Sequence, residues 1–129
     1  MKRKAAGLPG ELFGKSVATA GDVNNDGYAD VVVGAYGSDA AGLDVGRAYI
    51  FFGGATFDNT PDVIITGSVI TEDLGYSVAS AGDVNNDGYD DVIVGAYTND
   101  LPAGNNSGRA YLYLGGSPMN NVADVTFNG

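Results

Sequence analysis

The chain has 129 residues with 6 Lys or Arg against 16 Asp or Glu, a formal charge of −10 that argues against nucleic acid and anionic membrane as partners. It contains no Cys and no His, which excludes disulfides, thiolate and imidazole metal sites and the commonest general base. A hydrophobic content of 44% is too high for a disordered acidic chain, and no apolar run is long enough to span or insert into a membrane.

Met1-Lys2-Arg3-Lys4 is basic, but Ala5 to Gly14 supply no apolar segment behind it, so residues 1–10 read as a leader or flexible N-terminus and not as a signal peptide. The first predicted strand is Ser16–Gly21, and Asp22-Val23-Asn24-Asn25-Asp26-Gly27-Tyr28-Ala29-Asp30 follows it. Asp22, Asn24, Asp26 and Asp30 place side-chain oxygens at loop positions 1, 3, 5 and 9, Tyr28 offers its main-chain carbonyl, and Gly27 permits the positive φ of a sharp turn. An all-oxygen set at this spacing suits a hard cation, calcium before any other.

Strands are expected next at Asp30–Ala35, Arg47–Phe52 and Asp62–Thr66, separated by segments rich in Gly, Asn, Asp and Pro. The pattern then starts again. Phe13–Tyr36 and Leu74–Tyr97 share 19 identities in 24 positions, and Gly46-Arg47-Ala48-Tyr49 returns as Gly108-Arg109-Ala110-Tyr111. The second unit carries its own metal loop, with Asp83, Asn85, Asp87, Tyr89 and Asp91 in the ligand positions, and strands at Ser77–Gly82, Asp91–Ala96, Arg109–Leu114 and Asp124–Phe127. Residues 11–67 and 68–129 are therefore two units of about sixty residues.

A metal-free hairpin turn would also use Asn-Asp-Gly. Three carboxylates within nine residues, twice over, would then repel one another without compensation. An EF-hand or dockerin-type module would need a bidentate Glu at loop position 12 and a following helix, whereas position 12 is Val33 or Val94 in a β-branched run. Two calcium ions per chain would bring the charge to −6.

Val31-Val32-Val33, Tyr49-Ile50-Phe51-Phe52, Val92-Ile93-Val94 and Tyr111-Leu112-Tyr113-Leu114 are apolar on both strand faces, as in a sheet covered on two sides. No segment keeps a helical period. The fold class is all-β: two four-stranded antiparallel β-propeller blades, whose outer faces demand completion of the ring by oligomerisation. Two blades per chain make a head-to-tail cyclic trimer or tetramer the expected homo-oligomer.

With Phe13-Gly14, the nine-residue loop and Gly34-Ala35-Tyr36 in place, the chain resembles the FG-GAP repeat family, the blades of the integrin α-subunit propeller and of many bacterial surface proteins. It departs from the family at Leu74, which stands for Phe, and at Tyr36 and Tyr97, which stand where the family has Pro; this frees φ at the turn after strand two. The resemblance implies metal loops between strands one and two. It also implies a partner face at the opposite end, formed by Gly37–Val45 and Thr98–Ser107 with Gly67–Asp73 between blades, where Asp39, Asp100, Leu43 and Leu101 offer acidic and apolar contacts.

The function expected is a non-catalytic calcium-binding module with a structural or protein-binding adhesion role, extracellular or at the cell surface, where weak calcium sites are filled. The alternative is a glycan-binding lectin with Tyr49, Phe51, Tyr111 and Tyr113 as a stacking platform, though strand spacing makes these core between blades; a hydrolase comes third, with Glu11 or Glu72 beside Asp39, Asp44 or Asp100. Arg47 and Arg109 at matching strand starts read as scaffold. Asn105-Asn106-Ser107 matches a glycosylation sequon.

Overall fold

The computed structural model describes residues 10–39, 42, 44–69, 72–97 and 108–129. Residues 1–9, Leu43, and the segment Thr98–Ser107 with Asp100, Leu101 and the sequon lie outside the described residues. Eight strands follow in order: β1 Phe13–Gly21, β2 Asp30–Ala35, β3 Arg47–Phe51, β4 Val63–Thr66, β5 Ser77–Gly82, β6 Asp91–Ala96, β7 Arg109–Tyr113 and β8 Val125–Asn128. They form two four-stranded antiparallel sheets, β1-β2-β3-β4 and β5-β6-β7-β8, each a meander.

The strand boundaries differ from the sequence pattern in physically simple ways. β1 begins three residues earlier than the expected Ser16, because Phe13 pairs with Ala35 across an irregularity in register before Val17. β4 and β8 begin one residue later, since Asp62 and Asp124 turn their carboxylates back to the N–H groups of Phe52 and Leu114 (2.7 and 2.8 Å). These two carboxylates close the β3–β4 and β7–β8 connections and also end β3 and β7 one residue early.

The core lies between the sheets. Val32, Ala48, Ile50, Val63 and Ile65 on one face of the first sheet meet Val92, Val94, Tyr111 and Tyr113 of the second, with Leu74 from the segment before β5. Burying each large aliphatic side chain contributes about 1.5–3 kcal/mol. β1 and β5 lie closest across the interface.

The expectation that both faces of each sheet are covered holds for one face only within this chain. Val31, Val33, Phe13, Phe51, Phe57 and Pro61 line an apolar concavity of about 490 Å³ on the open face of the first sheet. On the second sheet every residue of β8 is exposed, Phe127 at 48%. Antiparallel order puts the β1–β2 and β3–β4 connections at one end, with β2–β3 and the link between sheets at the other. At that second end Ser38 N–H donates to the Ala35 carbonyl (3.1 Å), so the turn after β2 closes without the family's proline.

Candidate metal centre

Each nine-residue loop is folded by its own carboxylates. Asn25 and Gly27 adopt positive φ (57° and 88°), and Asn86 and Gly88 repeat this (58° and 92°). Glycine tolerates that region at no steric cost and asparagine at little. The turn so formed points main-chain N–H groups inward. Asp22 Oδ1 accepts from Asp26 N–H (3.1 Å), Asp22 Oδ2 from Gly27 N–H (2.8 Å), and Asp26 Oδ1 from Tyr28 N–H (3.0 Å). Asp83 and Asp87 make the same three bonds to Asp87, Gly88 and Tyr89.

The ninth position anchors the loop to the sheet. Asp30 is buried and accepts from Val23 N–H and Gly53 N–H, both at 2.8 Å; Asp91 accepts from Val84 and Gly115 likewise. Burial pushes the Asp30 carboxyl above its usual range; the two N–H donors oppose this, and the charges of Asp26 and Asp22 add to it. In the exposed loop, Asp83 is held below its usual range, chiefly by the Gly88 N–H.

Asp22, Asp26 and Asp30 thus share one loop, as do Asp83, Asp87 and Asp91. Among the described residues, however, no three acidic side chains converge closely enough to hold a metal through carboxylates alone. In the first loop the third position adds an observation that the second loop, where Asn85 is exposed, does not repeat. Asn24 Oδ1 is buried and accepts no hydrogen bond, an arrangement that costs about 1–3 kcal/mol unless something satisfies it. Carboxylate, amide and main-chain oxygens form the donor set of a hard cation. The loop residues fit calcium in chemistry, and an unsatisfied amide oxygen is what such an ion would complete.

Sequence reasoning did not find Gly53 and Gly115 as anchors. The signal was available in the matched pairs Gly53-Gly54 and Gly115-Gly116. A Cβ at Gly53 would run into the Ala29 carbonyl and one at Gly115 into the Asp90 carbonyl, so only glycine lets the β3–β4 type connection touch the metal loop.

The other candidates take structural places. Glu11 and Glu72 are fully buried, and each accepts a hydrogen bond from a tyrosine hydroxyl, Tyr49 and Tyr111 respectively. Asp39 accepts from Asp44 N–H (2.8 Å). The described carboxylates thus give a hydrolase reading no open pair that includes Glu11 or Glu72. Arg47 donates to Thr66 Oγ1 (3.0 Å) and Arg109 to Asn128 Oδ1 (2.6 Å), each guanidinium lying 6.0 Å from the ring centre of Tyr49 or Tyr111. Tyr49, Tyr111 and Tyr113 are buried, so they do not offer a sugar a platform; Phe51 alone of the four reaches the open concavity. At the end opposite the metal loops, Tyr36, Tyr76 and Tyr97 pack in series, with ring centres 5.0 and 4.0 Å apart. Tyr36 and Tyr97 are the residues that replace the family's proline.

The FG-GAP repeat family matches the chain twice, at residues 13–51 and 74–113. Each match contains one metal loop and the first three strands of a sheet. Among similar proteins are integrin alpha-5 of Xenopus laevis (35% identical over 107 residues, 79% of this chain and 10% of that protein) and integrin alpha-PS5 of Drosophila melanogaster (38% over 107 residues, 82% and 10%). Integrin alpha-V of Gallus gallus is 39% identical over 92 residues, 66% of this chain and 8% of that protein. The chain spans about a tenth of the length of these relatives.

Proposed function

The chain belongs to the FG-GAP repeat family, and on that premise we propose that it is a calcium-stabilised pair of β-propeller blades with a non-catalytic, adhesion-type binding role outside the cell. The observation that carries the calcium reading is the buried, unpartnered Asn24 Oδ1 inside a loop whose other oxygens stand at calcium spacing. The ligands are Asp22, Asn24, Asp26, the Tyr28 carbonyl and Asp30, and in the second loop Asp83, Asn85, Asp87, the Tyr89 carbonyl and Asp91.

A ring closed by further copies of the chain follows from the repeat. The second sheet presents Val92, Val94, Tyr111 and Tyr113 to the first, and the matching residues of the first sheet are Val31, Val33, Tyr49 and Phe51. Three of these, Val31, Val33 and Phe51, line the open concavity. The first sheet answers with Val32, Ile50 and Ile65, matched by Ile93, Leu112 and Phe127 on the open side of the second. The two open faces therefore correspond to the two that already fit each other, and head-to-tail packing of copies would cover both. Propellers close with about four to eight blades, which favours a trimer or tetramer over the tighter dimer. A protein partner is placed by this reading on the end opposite calcium, around Gly37–Val45 and the tyrosine series.

Chelation tests the core of the reading. An ion held only by the native state stabilises it by about 2.7 kcal/mol per site at a hundredfold excess over Kd, against a total of about 5–15 kcal/mol for a domain. Excess chelator should lower Tm markedly, calcium should restore it, and magnesium, which prefers strict octahedral geometry, should not. An unchanged melting curve in chelator refutes calcium dependence.

A further inference from the structure

The two metal loops are tied to each other through the main chain of Asp22, and the tie is lopsided. Asp22, the first residue of the first loop, donates its N–H to Asp90 Oδ2 (2.8 Å) and accepts the Asp90 N–H at its carbonyl (3.0 Å). Beside this pair, Gly116 N–H donates to the Val23 carbonyl (2.8 Å). The contact is close: a Cβ added at Gly21 would lie 2.5 Å from Asp90 Oδ2. Asp90 occupies loop position 8, where the first loop has Ala29. Only the second loop carries a carboxylate there.

Position 8 matters because of the peptide unit it shares. The carbonyl of the peptide joining residues 89 and 90 is that of Tyr89, assigned above as a calcium ligand. The N–H of the same peptide is that of Asp90, which Asp22 holds. In a planar trans peptide the N–H and C=O point in opposite directions, so fixing one sets the aim of the other. On its own side Asp22 is the residue whose carboxylate closes the first loop. An ion on that carboxylate would hold the Asp22 main chain more firmly, and through it the Tyr89–Asp90 peptide.

From this we infer that the two loops bind calcium as a coupled pair, with Asp90 as the positioning residue: filling the first loop raises the affinity of the second, and the reverse by the same factor. The inference rests on the calcium reading above. Direct repulsion between two bound ions acts in the opposite sense, but at solvent-exposed loops it is weakened by salt, whereas the main-chain tie is not.

Calcium titration by calorimetry on the full chain tests it. Asp26→Ala disables the first loop and Asp87→Ala the second, each leaving Asp22 and Asp90 in place. Second-loop affinity in Asp26→Ala should be lower than in the intact chain by at least about fivefold, the low end of typical couplings, and Asp87→Ala should lower first-loop affinity by the same factor. In an Asp90→Ala background the difference should shrink, because the variant keeps the Asp90 N–H on the Asp22 carbonyl but loses the carboxylate that holds the Asp22 N–H. Alanine is what the first loop carries at this position, so the variant loop has a precedent for folding. Asp90→Asn keeps an oxygen acceptor for the Asp22 N–H and should retain most of the coupling. Amide exchange at Asp22 in chelator needs no metal and should be faster in Asp90→Ala than in Asp90→Asn. Independent sites in the intact chain, or coupling undiminished by Asp90→Ala, overturn the inference and leave the calcium reading standing. Absence of any saturable calcium uptake by the intact chain overturns both.

Discussion

At position 3 of the first loop and position 9 of the same loop, two oxygen-bearing residues have opposite structural duties. Asn24 Oδ1 is buried without a donor, while both oxygens of Asp30 are engaged by main-chain N–H groups. Asn24→Ala should therefore be near neutral or slightly stabilising in chelator, since it removes an unsatisfied buried atom, yet it should weaken calcium binding at that loop. Asp30→Ala should destabilise by about 1–3 kcal/mol with or without calcium, because it strands one buried and one part-buried N–H group. Denaturant titrations in chelator and in calcium separate the two; equal effects of both substitutions in chelator would contradict this division. The tyrosines allow a second residue-level test. Burial first of all, and for Tyr111 the Glu72 carboxylate next, push the hydroxyls of Tyr49 and Tyr111 up to about 12. The unfolded chain releases those protons near pH 10. Stability from this source is complete below about pH 10 and is lost as pH rises through about 12. Phenolate absorbance should show a late phase that Tyr111→Phe reduces.

Between elements, the contact of the two sheets depends on places where no side chain fits. At Gly34 in β2 a Cβ would strike the Gly75 carbonyl of the neighbouring sheet and Ser16 Oγ, whereas at Gly95, the matching residue of β6, the first obstacle is the hydroxyl of Ser77, which can rotate away. Ser16 Oγ itself donates to the Gly75 carbonyl (2.8 Å) and so joins β1 to the second sheet. Gly34→Ala should cost about 1–3 kcal/mol or more through forced backbone shift, and Gly95→Ala much less in the isolated chain. Thermal melts of the two variants at low protein concentration check the difference. The first sheet's outermost strand shows how a two-residue period becomes burial: Val63 and Ile65 face the core while Ile64 is 37% exposed. β8 carries the same alternation with all four of its residues exposed.

For the whole molecule, that unfilled alternation is the argument for assembly. If copies pack head to tail as the two sheets do, Gly95 takes the place of Gly34 at the junction between chains, and Phe127 that of Ile65. Gly95→Ala and Phe127→Ser should then leave a folded chain that fails to assemble, which light scattering at micromolar concentration with calcium present would detect as a fall from a trimer or tetramer to a single-chain mass. A folded single chain already present in the unaltered protein under those conditions refutes closure by copies. The junction between chains would also differ from the one within: Tyr97 would approach Lys15 where Tyr36 now meets Tyr76, and Ala29 would stand where Asp90 clasps Asp22.

Much of this was legible in the residues alone because it is local. The doubled Asp-x-Asn-x-Asp-Gly spacing, the β-branched runs and the Gly-rich gaps each act over fewer than ten residues, and they yielded the strands, the two units and the loop positions. Phe13–Lys15 does not read as strand because glycine and lysine interrupt the apolar pattern, while the pairing with Ala35 does not depend on it. What joins distant residues had no such signature. As letters Glu11 and Glu72 are candidates for a carboxylate pair; only the fold brings Tyr49 and Tyr111, 38 and 39 residues away, to hold them. Asp90 differed from Ala29 by one letter until packing of the sheets brought it 68 residues back to Asp22. A strand's period of two says that it has two faces; which of them is covered, and by what, is decided only when the sheets meet, because burial belongs to a pair of surfaces and not to either sequence segment.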